Sequence, residues 1–305
     1  MDLPRKHHFN PAFYLSQWMG DDRQLCEMRL IRGDVKPRRR YPHLTGYVKD
    51  LYRTDGVPEL ESQDLEIKFM TPLDTVAAAA LQRLLSGDSP NLQERVAWTR
   101  FLLSLIYRNP DAVKLIKTHM ATLVDEITAS LEVQWEAKRK VNDAQTFAEA
   151  TAIRQPGLAD IHGANMVADI IGNHSAVPDI VRMNWGKINL SDSRVPLVTS
   201  DRPVLMVNLS DPEAFIALPI GPYDLFVAAF NDRWSRLRLD STKLAQTVNR
   251  DVIANAREFV WGLDDGEIDV VRTWIGANPD RIILSKEQRE AGIATARGLT
   301  VIREP

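Results

Sequence analysis

Ile216-Ala217-Leu218-Pro219-Ile220-Gly221-Pro222-Tyr223-Asp224-Leu225-Phe226-Val227-Ala228-Ala229-Phe230 contains two short apolar runs, Ile216 to Ile220 and Leu225 to Phe230, on either side of a turn built from two prolines and a glycine. Apolar runs this short, bounded by Gly, Pro and Asp, carry the signature of strands. Val181 to Leu190 and Pro203 to Asn208 repeat the pattern upstream, so the chain reads as strand-rich from about Ile180. The Leu218 to Pro222 turn is rigid because proline fixes its own backbone angle. It can present Asp224 or its amides to a ligand, or be architecture alone.

The stretch before these strands has a helical period. Leu65, Phe69, Leu73, Val76, Leu81 and Leu84 fall on one helix face. Asn91 is placed to cap a helix running to Tyr107, and Pro110 closes that helix and opens another. Val113, Ile116, Met120, Leu123, Ile127 and Leu131 form the long apolar stripe of that next helix. Pro156-Gly157 breaks the pattern, and a further helix is expected from Leu158 to about Ile171. Asn10-Pro11 starts a short helix to Trp18. Leu25 to Arg32 and Val48 to Arg53 read as strands flanking a basic turn, Lys36 to Arg40. After the apolar strands, Thr242 to Glu258 and Glu267 to Ile275 read as helices. Strands, helices, then strands and helices again indicate an α+β fold. N-terminal strands and a central helical bundle are expected to pack on a small C-terminal mixed β-sheet with helices. One domain over 1–305 is expected, with a helix-rich part at about 62–175 and a strand-rich part at about 178–285 joined by the N-terminal segment 1–55.

The chain has 305 residues, 44% hydrophobic and 26% charged, which is the composition of a chain with a packed core. Cys26 is the only cysteine, so neither an internal disulfide nor a Cys-based zinc site can form, which fits a reducing compartment. The N-terminus is too polar for a signal peptide and no apolar run approaches a membrane span, so a cytoplasmic chain with no membrane partner is expected. The formal net charge of −3 argues against a general nucleic-acid coat. Residues 1–53 nevertheless carry eleven Lys or Arg against six Asp or Glu. A basic face there can attract phosphates or be a solvated turn.

Chemistry-bearing residues gather in a few segments. His7 and His8 precede the first helix, and imidazole serves as base, acid or metal ligand near neutral pH. Arg108 ends a helix, where the dipole favours a cation, and a guanidinium can also clamp a phosphate or carboxylate. Ser200 and Asp201 sit where a strand meets a turn, as site residues or as turn formers. Glu66 and Asp74 lie on roughly one helix side and can act as a carboxylate pair or as surface charges. His162, Asn165 and Asp169 share a helix face suited to a metal or to solvent. A phosphate loop, a dinucleotide fingerprint, a zincin motif and a serine-hydrolase elbow are all missing from the sequence.

Taken in order, these segments resemble the family catalogued as domain of unknown function 4238. The opening element is His7, His8, Pro11, Phe13, Tyr14 and Leu15, followed by Asp50-Leu51-Tyr52. Arg108 with Pro110, Thr199 through Val204, Leu218 through Pro222, Asn249, and Ala256 to Val260 complete it, from about His7 to Trp261. Gly221 stands where relatives carry a small polar residue, and Asp74 where a Glu is expected. The resemblance implies a bacterial protein with a defence or toxin-like role, and it singles out His7, His8, Arg108, Ser200 and Asp201 as catalytic candidates. The leading expectation is a nuclease-like hydrolase acting on phosphodiesters of a nucleic acid or nucleotide. His7 or His8 would be base or metal ligand, Asp201 would orient the imidazole or bind the metal, and Arg108 would stabilise the anion, with a divalent metal as a candidate cofactor. The alternatives are a sensor or binding protein whose polar motifs are structural, and a scaffold with the Val113 to Leu131 helix as its partner surface.

Overall fold

Strands from the two ends of the chain share one sheet. The computed structural model describes residues 3–59, 61–150, 157–207, 209, 211–232, 240–279 and 283–297. Strand β1 (Lys6–His8) pairs with β4 (Tyr47–Lys49) in a two-stranded ribbon. Strands β2 (Leu25–Ile31) and β3 (Asp34–Arg40) form a hairpin, and β2 also pairs with β10 (Phe259–Gly262), which pairs in turn with β6 (Thr199–Ser200). The third sheet has the order β5 (Asn184–Asn189), β9 (Asp224–Ala229), β8 (Phe215–Gly221), β7 (Leu205–Met206). The protein is α+β. Among the described residues every strand pair is antiparallel, and the C-terminal strands divide between two sheets instead of forming one mixed sheet.

The helices are α1 (Ala12–Leu15), α2 (Thr71–Ser86), α3 (Leu92–Tyr107), α4 (Pro110–Lys138), α5 (Phe147–Ala150), α6 (Leu158–Gly172), α7 (Val177–Arg182), α8 (Ser241–Asn255), α9 (Ile268–Trp274) and α10 (Lys286–Arg297). Helix α3 starts at a complete capping box, in which Asn91 Oδ1 accepts from the Glu94 amide and Glu94 accepts from the Asn91 amide. Asn109 then caps α4 with Pro110 at its first position. Trp18, Trp98, Phe101, Phe226 and Trp261 meet in the central core between the helices and the sheets.

Several boundaries differ from the sequence expectation for identifiable reasons. Lys36 to Arg40 is the edge strand β3 and not a turn, and an edge accommodates Pro37 because its missing N–H need not bond. The turn is Arg32-Gly33, with φ of 51° and 84°, the left-handed pair a two-residue hairpin loop requires. The strand expected over Val48 to Arg53 stops at Lys49, where Asp50 takes φ of 58° and turns Tyr52 inward. The start of the Val181 to Leu190 run is helical, opened by Pro178 in the first turn of α7. The helix expected to reach Glu258 ends at Asn255, and β10 follows it. Val76 is exposed, and the buried face of α2 is Leu73, Ala77, Ala80, Leu81 and Leu84. The small alanines on that face gave no hydrophobic signal. In α4, Val113 and Ile116 are buried, and the later residues of its stripe are half-buried. Pro156 of the expected helix break and Asn208 at the end of the expected 203–208 strand lie outside the described residues.

The segment Asn10 to Trp18 is bolted to the C-terminal half by side-chain bonds to backbone carbonyls. Asn10 Nδ2 donates to Ser200 O at 2.7 Å, Tyr14 Oη donates to Pro219 O at 2.8 Å, and Trp18 Nε1 donates to Leu197 O at 2.8 Å. Asn249 adds a bridge, accepting from the Val198 amide at 2.9 Å and donating to Pro196 O at 2.9 Å. Removing one partner of a buried bond strands the other, at about 1–3 kcal/mol. Tyr14→Phe, which keeps the ring, is therefore expected to lower the melting temperature by roughly 2–8 °C, measured by circular dichroism. An unchanged melting temperature would show that this bond does not hold the joint.

Candidate functional site

Arg108 is brought to the site by the α3–α4 corner. Its φ of −96° and ψ of 0° place it in the bridge between the helices, and its side chain is fully buried. Nε donates to Phe9 O at 3.1 Å and Nη1 donates to Asp74 Oδ1 at 2.9 Å. The guanidinium lies over the Phe101 ring, 5.5 Å from its centre. Nη2 is buried with no hydrogen-bond partner among the described residues. Such an orphan donor on a buried cation is unusual, since desolvated charge is normally fully bonded.

Glu66 and Asp74 approach the same guanidinium from a continuous helical run. The run opens with a π-helical turn, Leu65–Met70, in which the Thr71 amide bonds Glu66 O, five residues back, before α2 continues. Turns of this kind insert one residue and recur at functional sites. Burial raises the carboxyl of Asp74, and the Arg108 cation partly offsets it. Glu66 is pushed up to about 7, first by burial and then by the Asp74 charge, with Arg108 opposing. Its Oε2 is buried and meets no hydrogen-bond partner among the described residues.

The two adjacent histidines have different environments. His7 is fully buried in β1 and stacked on Tyr52, with ring centres 5.2 Å apart. Its Nδ1 accepts from the Tyr52 amide at 2.8 Å, so its proton sits on Nε2, which bonds Pro4 O at 3.1 Å. Both ring nitrogens are engaged, and burial lowers its pKa. His8 points elsewhere, as alternation along a strand requires. It is partly exposed, and its Nε2 is buried without a hydrogen-bond partner among the described residues. Burial, then the Arg108 charge, lowers it to about 4, so the imidazole is neutral at pH 7. Tyr52 links these groups, because its hydroxyl donates to His8 O and to Arg108 O, each at 3.2 Å. Gln63 is fully buried with its side-chain amide against the His7 imidazole.

Ser200 and Asp201 lie at the β6–β10 junction, and Asp201 lines a cavity with Phe9 and Asn109, the chain neighbours of His8 and Arg108. The Asp201 carboxylate accepts from the amides of Arg257, Glu258 and Phe259 at 2.9, 2.7 and 3.1 Å. Burial pushes its carboxyl up to about 6 while the three amides pull it down. Ser200 Oγ donates to Val252 O at 3.1 Å and accepts from the Arg202 amide at 3.2 Å. These bonds turn the chain from α8 into β10, a tertiary effect that helical periodicity in the sequence does not reveal.

The remaining candidates are spread over the surface. On β3, Lys36 pairs with Asp34, Arg39 with Asp22 at 2.5 Å, and Arg40 approaches Glu27 at 3.8 Å. His162, Asn165 and Asp169 are exposed along α6, and Asp224 pairs with Lys187 at 3.0 Å. Among the described residues no three His, Cys, Asp or Glu side chains are grouped to hold a metal ion, and no helix is long and apolar enough to cross a membrane. Sequence reasoning named His8, Arg108, Glu66 and Asp74 in separate segments. It gave no chemical role to Tyr52, which the Asp50-Leu51-Tyr52 element contained, or to Gln63, which no motif marked.

Residues 6–266 match the model of a family described as a protein of unknown function, DUF4238. No curated protein and no solved structure matches the chain.

Two measurements separate the groups. Asp201→Asn replaces an acceptor of three amides with a group that carries N–H donors of its own. Each stranded amide costs about 1–3 kcal/mol, so the melting temperature is expected to fall by at least about 5 °C. Glu66→Gln should act in the opposite direction. The folded protein keeps a proton on Glu66 up to about pH 7, while the unfolded chain releases it near 4.5. Stability from this group is therefore lost as pH rises between those values. Gln mimics the protonated form, so the variant is expected to match the wild type at pH 4 and to melt roughly 2–4 °C higher at pH 8. His8 titrates in both proteins and largely cancels in the comparison. A difference of the same size at both pH values would contradict the raised Glu66 pKa.

Proposed function

Since the chain belongs to the DUF4238 family, whose description states no reaction, we propose a function from the chemistry of the Arg108 site: metal-independent acid–base hydrolysis of a phosphodiester in a nucleic acid or nucleotide. The observation that carries the reading is that buried Nη2 of Arg108, Oε2 of Glu66 and Nε2 of His8 all lack hydrogen-bond partners among the described residues, and that Glu66 and His8 both feel the Arg108 charge. A donor, a carboxyl and a neutral imidazole left unsatisfied in one place suit a substrate that supplies the missing partners.

The roles follow from the protonation states. Arg108 Nη2 donates to a non-bridging phosphate oxygen, where negative charge builds in the transition state. His8 Nε2, neutral at pH 7, takes the proton from the attacking water or hydroxyl. Glu66, held protonated to about 7, gives its proton to the leaving oxygen as the phosphorus–oxygen bond breaks. Asp74 holds the guanidinium in place and does not touch substrate. His7 positions the strand that carries His8. The structural reading keeps its force for Ser200 and Asp201, whose polar atoms are all engaged in backbone bonds at the β6–β10 junction. In this proposal they have no chemical step.

The test uses bis(p-nitrophenyl) phosphate and single-stranded RNA and DNA oligonucleotides with the full chain and no added metal. Hydrolysis is expected to decline above about pH 7 as Glu66 loses its proton. Glu66→Gln and His8→Ala are each expected to lower kcat by about 10²–10⁴-fold, with the melting temperature of His8→Ala held within a few degrees. Wild-type protein inert toward all three substrates, or rates untouched by both variants, would sink the assignment.

A further inference from the structure

The cavity that Asp201 lines with Phe9 and Asn109 has a volume of about 390 Å³, within the range of small-molecule sites, about 300–1,000 Å³. One of its walls is a sheet face. Alternation places Leu25, Glu27 and Arg29 on the same side of β2, and the register sets Arg40 of β3 and Phe259 and Trp261 of β10 beside them. Glu27, Arg29, Arg40 and Phe259 line the cavity from that face, and Tyr47 lines it from β4. The Tyr47 ring is 5.5 Å, centre to centre, from the His8 ring, so the cavity adjoins the Arg108 site.

Glu27 is a buried carboxylate with one oxygen free of hydrogen bonds. Its side chain is 8% exposed. Oε2 accepts from Thr45 Oγ1, which in turn accepts from Trp261 Nε1 at 2.9 Å. Oε1 has no hydrogen bond among the described residues, and Arg40 Nε, 3.8 Å away, is too distant to make one. Buried polar atoms are normally bonded, so an acceptor left open beside a cavity points to a donor on a ligand. Other acids of the wall are committed elsewhere. Asp201 takes three backbone amides, and Glu258 takes Arg29 Nε at 2.7 Å. Arg29 is thereby held over the Phe259 ring, 4.8 Å from its centre.

We propose that this cavity receives a guanine base of the nucleic acid or nucleotide whose phosphodiester lies at the Arg108 site. The proposal deepens the phosphodiester reading and rests on it for that neighbouring phosphate. Guanine is the base whose pairing edge carries two adjacent donors, N1–H and N2–H, next to an acceptor, O6. A carboxylate has about four acceptor positions, so Glu27 takes both donors while keeping its bond to Thr45. Arg40, beside it, supplies the donor for O6. Adenine and cytosine each bring one donor group with a ring acceptor next to it, and uracil brings a single N–H between two acceptors. Each of those edges turns an acceptor toward the Glu27 carboxylate. Bases stack on aromatic rings and on guanidinium planes, which Tyr47, Phe259 and Arg29 provide. Arg202 and Arg257, which line the space and have partners of their own, are not needed for this recognition.

The nucleoside 5′-monophosphates of guanine, adenine, cytosine and uracil share a phosphate and differ in the base. Calorimetric titration of the full chain with each therefore isolates base recognition. Guanosine 5′-monophosphate is expected to bind about tenfold more tightly than the other three. Glu27→Gln, which keeps an acceptor for Thr45 and puts a donor in place of the other oxygen, is expected to remove most of that preference. Arg40→Ala, at a partly exposed position, is expected to do the same. Melting temperatures check the fold, and Arg40→Ala decides alone if Glu27→Gln is destabilised. No binding of guanosine 5′-monophosphate at about 5 mM, equal or tighter binding of another base, or a guanine preference that persists in the folded variants overturns the proposal. Hydrolysis of bis(p-nitrophenyl) phosphate, which carries no nucleobase, tests the Arg108 chemistry by itself, so the two readings fail separately.

Discussion

The buried ion pair of Arg108 and Asp74 governs the electrostatics of the whole region. A guanidinium shielded from water cannot remain unpaired without a penalty of several kcal/mol. Asp74 satisfies one of its nitrogens and Phe9 O a second. That single positive charge is shared by two carboxyls, Asp74 and Glu66. One cation does not neutralise two buried anions, so the carboxyl with the weaker tie keeps its proton. Glu66 is that group: burial raises it first, the Asp74 charge adds to the rise, and Asp74 holds the direct bond to Arg108. The same positive charge helps keep His8 neutral. An acid and an unprotonated base near one cation therefore follow from burial first and from the charges of Asp74 and Arg108 second.

The family motifs divide into a joint and a candidate site. Asn10, Tyr14, Ser200, Asp201, Pro219 and Asn249 hold the N-terminal segment, β6 and the β8 turn together. His8, Tyr52 and Arg108 sit on the side of the joint that faces α2. The joint fixes Phe9, whose carbonyl receives Arg108, so correct assembly of distant segments is a condition for the geometry of the guanidinium. A residue such as His7 belongs to both sets, since its ring is fully bonded and yet it sets the strand from which His8 projects.

Much of this could be read from the residues in order. Asn91, Asn109 and Pro110 specify the α3–α4 corner through local capping chemistry, and that corner delivers Arg108. Helical spacing placed Glu66 and Asp74 on one side of a run. Other features depend on contacts made only after folding. The end of α8 is set by Asp201, more than fifty residues earlier, which bonds the amides after Ala256. Strand β3 looked like a turn because Pro37 and four basic residues mask a strand that is tolerable only at a sheet edge. Gln63 was invisible because a single amide in a polar stretch has no distinguishing pattern, and its significance lies in being buried against His7.

The pairing of β2 with β10 also shapes how the chain must come together during synthesis. The β2–β3 hairpin is local and can close as soon as Arg40 leaves the ribosome, but the other edge of β2 waits for Phe259–Gly262. At about 5–20 residues per second this leaves an open edge for roughly 10–50 s. Through that interval Leu25 and Met28, both fully buried in the finished protein, have no C-terminal core to enter. The arginines and lysine crowded onto β3 lie along the outer side of the waiting hairpin, and like charges there repel a second nascent hairpin approaching from that side.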